Sequence, residues 1–205
     1  MTPTLDETSC TSSGAAAIVA YRQQNELFVA SAGNAMAVSC RAGKAMPLNS
    51  RHDPYNEDEV KRIRDINAVI GANRQLNGVL DVTRAFGHFD QFPAVNANPQ
   101  IARLKITSDD EFLILATNAF WRVMSYQTAV DVASMDRKNP SRAAQKLRDY
   151  ALAYGAREPL TVMVVSYSSQ LPSTRRVIKR RYAARFAVVA IGNLRDCACL
   201  QQPRR

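Results

Sequence analysis

The sequence predicts an α+β domain in which helices pack on antiparallel sheet. Three features carry that expectation: short apolar runs split by turn residues near the start, continuous apolar runs further along, and capped amphipathic segments between them. The runs AAAIVAYR (15–22) and ELFVASAG (26–33), separated by Gln23, Gln24 and Asn25, read as a β-hairpin. Gly33-Asn34 is a second turn signal. After it, AMAVSCR (35–41) and a short piece with Met46 and Leu48 beyond Gly43-Lys44 continue a meander with one buried face.

The period then changes. In DPYNEDEVKRIRDI (53–66), Val60, Ile63 and Ile66 fall on one side of a helix, with acidic residues early, where the dipole favours them. Asp53, after His52, is the expected N-cap. Residues 67–100 hold many polar, Gly and Pro positions, including Asn77-Gly78 and Phe92-Pro93. An irregular stretch of that length in a compact domain is usually functional or loop-like. QIARLKI (100–106) alternates, whereas EFLILAT (111–117) is continuously apolar and reads as a central strand buried on both faces. Phe120 and Trp121 behind it read as core. Ser125 caps a helix through Ala133, and Asn139-Pro140 opens another that stops before Gly155. Ala143, Leu147, Ala151 and Tyr154 stripe its inner face, and LTVMVVSY (160–167) supplies one more buried strand.

Composition narrows the class. With 46% hydrophobic and 22% charged residues, wholesale disorder is excluded. No apolar run approaches the ~20 residues of a membrane-spanning helix. The start, MTPTLDETSC, has no basic region followed by an apolar stretch, so it is not a secretory signal. Cys10, Cys40, Cys197 and Cys199 form no C-x-x-C pair and no zinc spacing, and are expected to be reduced thiols. The net charge of +9 is local: from Ser173 onward nine basic residues face Asp196 alone, leaving 18 basic and 17 acidic residues before it. RRVIKRR (175–181) could serve as a nuclear signal or a phosphate-binding patch, but it lacks interleaved aromatics. A solvated tail without a specific nucleic-acid partner is the expectation.

Four segments, in order, resemble the metal-dependent protein phosphatases of the PPM (2C) family. SGAAAIVAY (13–21) is similar to the strand after the family's Gly-Ser-Thr-Ala signature, and LFVASAGNAMAV (27–38) to its "AnvGDSrav" hairpin. NGVLDVTRAFGHFD (77–90) stands beside "G-x-L-x-v-[ST]-R-A-[FL]-G-D", and EFLILATNAFWRVMS (111–125) beside "eFlILAcDGlWDvls". After them, AAQKLRDYALAYGAREPLTVMVV (143–165) looks like the last helix, the Asp-Asn turn and the final strand. LDVTRAFGHFD and AAQKLRDYALAYG point more narrowly to the PPM-like domain embedded in fungal adenylate cyclases. The resemblance implies a partial PP2C-like αββα sandwich, two antiparallel sheets flanked by helices, with its active site at one end. Its expected extent is 13–167, between a loose N-terminal lead-in (1–12) and a basic tail (168–205).

The same resemblance implies a reaction run by two Mg²⁺ or Mn²⁺ ions on carboxylates, with bridging water attacking phosphorus. Here the pattern departs at two ligand positions and at two further motif positions. Asn118, followed by Ala119, stands where the Asp of "DG" is expected, and Glu158, followed by Pro159, where the Asp of "DN" is expected. Asn34, after Gly33, replaces the Asp of the hairpin's Gly-Asp, and His88, after Gly87, replaces the Asp that follows the Arg84-Ala85-Phe86 run. Arg84 lies in the segment that shapes the site edge, where it could meet an anion or pair with a carboxylate. The family's Asp-Gly-His-Gly motif should precede residue 13 and has no counterpart here, so an N-terminally incomplete domain is expected.

Four expectations follow from the resemblance. No residue is catalytic. Glu158 is a weak metal candidate and Asn118 a degraded ligand position, so no cofactor is expected, with Mg²⁺ or Mn²⁺ only in the alternative of an active Ser/Thr phosphatase. The partners are other domains of the same polypeptide or cAMP-signalling proteins. The location is cytoplasmic, or membrane-peripheral through a larger parent protein.

Overall fold

The computed structural model describes residues 12–167 and the backbone of strand residues 185–193. The basic cluster 175–181, most of the 1–12 lead-in, and Cys10, Cys197 and Cys199 lie outside the described residues.

Two antiparallel sheets form the centre. The first contains β1 (Gly14–Gln23), β2 (Glu26–Ala32), β5 (Phe86–Gly87), β6 (Gln100–Lys105) and β9 (Arg185–Asn193). Its order is β5-β1-β2-β6, with β9 also paired to β1. The second runs β4-β3-β7-β8, made of β3 (Met36–Arg41), β4 (Lys44–Pro47), β7 (Asp110–Ala116) and β8 (Val162–Ser166). The β1–β2 hairpin forms as expected, its Gln23↔Glu26 pair closed by Gln24 at φ 52° and Asn25. The single meander does not form. At Gly33 (φ 117°) the chain leaves the first sheet, and β3 pairs with β4 and β7 in the second. The sequence-local order is kept while the pairing partners are not, because the second sheet is built from strands far apart in the chain.

Strand periodicity explains why β7 is continuously apolar from Phe112 to Ala116. Phe112, Ile114 and Ala116 enter one cluster with Phe120, Trp121, Val130, Leu147 and Ala151. Leu113 and Leu115 point the other way, into a cluster with Ile18, Ala20, Leu27 and Val29 of the first sheet. Both faces are dry, and each fully buried Leu, Ile or Phe contributes about 1.5–3 kcal/mol. β8, expected to be buried, is only half-buried, because it is the edge of its sheet.

Helices α2 (Asn118–Val123), α3 (Tyr126–Ser134) and α4 (Pro140–Ala153) cover the outer face of the second sheet. Ser125 caps α3 by accepting from Thr128 N, and Asn139 caps α4 by accepting from Arg142 N, with Pro140 in the first turn. Ala143, Leu147 and Ala151 are buried, but Tyr154 is 54% exposed. It is the C-cap residue and meets Tyr150 edge-to-face instead. α2 was not expected as a helix: six residues are too few for a periodic signal. Helix α1 (Glu57–Asp65) is capped by Asn56, which accepts from Asp58 N, and not by Asp53. Asp53 instead accepts from Tyr55 N in the turn before the helix. Ile63 of α1 joins Leu76, Leu80, Val82, Ala85, Ala94 and Val95 in a third cluster that organises the irregular 67–98 stretch.

Candidate functional site

The site lies at one end of the sandwich, where five chain segments converge. Gly14 and Ala16 come from the start of β1, Asn34 from the crossover turn, and Asp81 and His88 from the irregular stretch. Asn118 and Ala119 open α2, and Glu158 and Pro159 form the turn that leads to β8. Together they enclose a cleft of about 110 Å³. Five of the residues singled out from sequence, Asn34, His88, Asn118, Ala119 and Glu158, are therefore neighbours in space. Gly33, Arg84 and Gly87 are not among its lining residues.

Those three residues shape the walls. Gly87, at φ 78°, runs so close to β1 that a Cβ there would lie 2.2 Å from the Ser13 carbonyl oxygen. At Gly14 the reason is close approach: a Cβ would stand 2.1 Å from His88 Cδ2. His88 itself sits in the left-handed region, φ 49°, and is buried. Asp90, two residues on, accepts from Gln91 Nε2. The Asn34 turn is braced from beneath. Gly33 N donates to His52 Nδ1 at 3.2 Å, while His52 N donates back to the Gly33 carbonyl. Burial, then the nearby Arg84 charge, lowers the His52 imidazole to about 4, consistent with the neutral ring that this accepting nitrogen requires.

Arg84 meets a carboxylate of the chain itself. Its guanidinium forms an ion pair with Glu59, a residue 1% exposed, and Nη1 donates to the Asn98 carbonyl. Glu59 also accepts from Arg62 Nη2 at 3.0 Å and from the Thr83 hydroxyl at 2.8 Å. Burial alone would push this carboxyl up. Hydrogen bonds from Arg84 and Thr83 and the two arginine charges outweigh it, leaving the group lowered to about 2. Arg84 is thus committed to structure.

Two residues were missed from sequence: Asp81, which lines the cleft, and Arg122, which does not line it but bonds to three residues that do. Arg122 Nη2 donates to Asp81 Oδ2 at 2.9 Å, and Nη1 to Glu158 Oε1 at 2.7 Å. With its amide turned so that oxygen meets donors, Asn118 accepts from Arg122 Nε at 3.0 Å and Nη2 at 3.3 Å, and from Asn34 Nδ2 at 3.2 Å. The signal for Arg122 was present in WRVMS, a cation where the resembled "WDvls" carries an anion. Asp81 lay inside a quoted motif.

Divalent Mg²⁺ or Mn²⁺ wants several hard oxygen donors, preferably anionic. Among the described residues no group of three or more His, Cys, Asp or Glu could hold a metal ion. The cleft offers the neutral amides of Asn118 and Asn34 and two carboxylates already engaged by one guanidinium. Among the described residues the donor set does not fit the two metal ions that the fold implies.

Comparison with known proteins agrees with this architecture. The profile of the family described as Protein phosphatase 2C matches residues 1–160. An adenylate cyclase of Mycosarcoma maydis is 45% identical over 154 residues, covering 75% of this chain and 6% of its own length. A probable protein phosphatase 2C 7 of Oryza sativa is 36% identical over 156 residues, covering 75% of this chain and 41% of that protein. The chain therefore spans a small part of the cyclase and less than half of the plant relative. Among solved structures, a serine-threonine phosphatase 2C from Toxoplasma gondii superposes with a TM-score of 0.67 at 21% identity, covering 78% of this chain and 60% of that one. That likeness shows a shared fold, with two antiparallel sheets and helices arranged alike. Profile match and fold together make the chain a member of the protein phosphatase 2C family.

Proposed function

We propose that this chain is a non-hydrolytic phosphatase-like module of a larger, cyclase-type polypeptide, with a regulatory or scaffolding part in cAMP signalling. The observation that carries the first half is the donor set of the cleft, in which Asn118 and Asn34 bring amides where metal-borne hydrolysis needs anionic oxygens. The second half draws on the Mycosarcoma maydis adenylate cyclase, at 45% identity. On this reading the partners are neighbouring domains of the same polypeptide or other cAMP-signalling proteins. Their location, cytoplasmic or at the membrane periphery, follows from the parent protein. Among the described residues no helix is long and apolar enough to cross a membrane.

The competing reading is a Mg²⁺- or Mn²⁺-dependent Ser/Thr phosphatase. What favours it is that Asp81 and Glu158 remain as exposed carboxylates at the cleft mouth. One assay separates the two: hydrolysis of a phosphothreonine peptide by the 205-residue chain in Mn²⁺. Turnover no greater than the protein-free blank is expected. Mn²⁺-dependent turnover that disappears in Glu158→Gln would overturn the proposal in favour of the phosphatase. For the regulatory half, excising the matching segment from the Mycosarcoma maydis cyclase is expected to change its regulated cAMP output, and unchanged output would remove that role.

A further inference from the structure

The geometry points to Arg122 as the resident cation beside the cleft: without lining the cleft itself, its guanidinium engages the two carboxylates and the amide oxygen on which even a weakly held divalent ion would have to draw, and so keeps them from metal. All three guanidinium nitrogens are used. Nη1 goes to Glu158, Nη2 to Asp81, and Nε and Nη2 to the Asn118 amide oxygen. The acceptors come from three separate segments, the 81–88 stretch, the start of α2 and the turn before β8. Two carboxylates converging on one point repel each other unless a cation stands between them, and a planar guanidinium satisfies them with directed bonds.

Position explains why Arg122 can reach. It sits one turn along α2 from Asn118, and residues four apart share a helix face. Trp121, the preceding residue, anchors that helix in the core, its Nε1 donating to the carbonyls of Met36 and Ala116. The arginine is therefore held against Asp81 and Glu158 by a short, packed helix. It is 45% exposed, with Asp81 and Glu158 at 43% and 58%, so water screens each bond and the role is one of occupancy more than of stability.

This inference rests on the non-hydrolytic reading and deepens it, naming what engages the carboxylates of the site. The test is thermal unfolding of the full chain in EDTA and in Mn²⁺, comparing wild type, Arg122→Gln and Arg122→Gln/Glu158→Gln. Wild type is expected to melt at the same temperature in both buffers. Arg122→Gln is expected to melt lower in EDTA and to gain about 3–5 °C in ~10 mM Mn²⁺, as a weak carboxylate site would give. The double variant is expected to lose that gain. Should Arg122→Gln be unfolded in EDTA, Mn²⁺ must restore a cooperative transition. No Mn²⁺ response in Arg122→Gln, folded or not, overturns the inference and leaves the non-hydrolytic reading standing. An equal response in wild type overturns it too, and if accompanied by phosphopeptide hydrolysis ends that reading as well.

Discussion

Replacing Glu59 by Gln should be among the most damaging single changes that leave side-chain volume intact. The carboxylate is buried and accepts from Arg84, Arg62 and the Thr83 hydroxyl. These contacts tie α1 to the stretch that carries Asp81 and His88. A glutamine keeps one acceptor and turns an amide donor toward groups that are themselves donors. Breaking a buried pair by removing one partner costs about 3–5 kcal/mol. The arginine side chains are 21% and 25% exposed, so water recovers part of their solvation and the lower end applies, about 3 kcal/mol. With a urea slope of about 2–3 kcal/mol per M for a domain of this size, the midpoint should fall by roughly 1–1.5 M. Arg103→Ala, which breaks the exposed pair with Glu26, is the control and should cost under about 1 kcal/mol. A Glu59→Gln midpoint no lower than the control's would refute the claim that this buried cluster holds the site walls.

Two further predictions concern the same walls. His52 is lowered to about 4 in the fold, while an unfolded imidazole titrates near 6.5. The unfolded chain therefore takes up the proton first. The stability from His52 is complete above pH 6.5 and lost progressively toward pH 4, up to about 3 kcal/mol. Chemical denaturation across that range should show the loss, and a flat profile for wild type would contradict it. Gly87→Ala would combine φ 78° with a Cβ 2.2 Å from the Ser13 carbonyl oxygen. A cost of about 1–3 kcal/mol is expected in the same assay, and an unchanged midpoint would show that the β1–β5 approach is looser than described.

Legibility in the sequence followed the range of the interaction. Ser125 and Asn139-Pro140 were readable as helix starts because a cap acts within three residues of itself. β7 was readable as a central strand because burial on both faces leaves no polar position between Phe112 and Ala116. Asp53 misled because Asn56, three residues on, is an equally good cap, and only the backbone path chooses between them. The division of the early strands between two sheets was hidden, since β3 finds β7 some 70 residues away. At the site, the ligand positions Asn118 and Glu158 and the motif positions Asn34 and His88 were visible as departures from a pattern, and the fold gathers them. Arg122 and Asp81 were not picked out, because their meaning depends on a pairing across 41 residues that no local spacing reveals.

The central claim is that this cleft supplies its own cation and takes no divalent metal. Its most direct test is equilibrium binding of Mn²⁺ to the full chain, read as loss of the free-ion paramagnetic resonance signal at submillimolar metal. An undiminished signal is expected at every protein concentration. Stoichiometric loss of signal, abolished in Glu158→Gln, would contradict it and return the chain to the metal-dependent phosphatases.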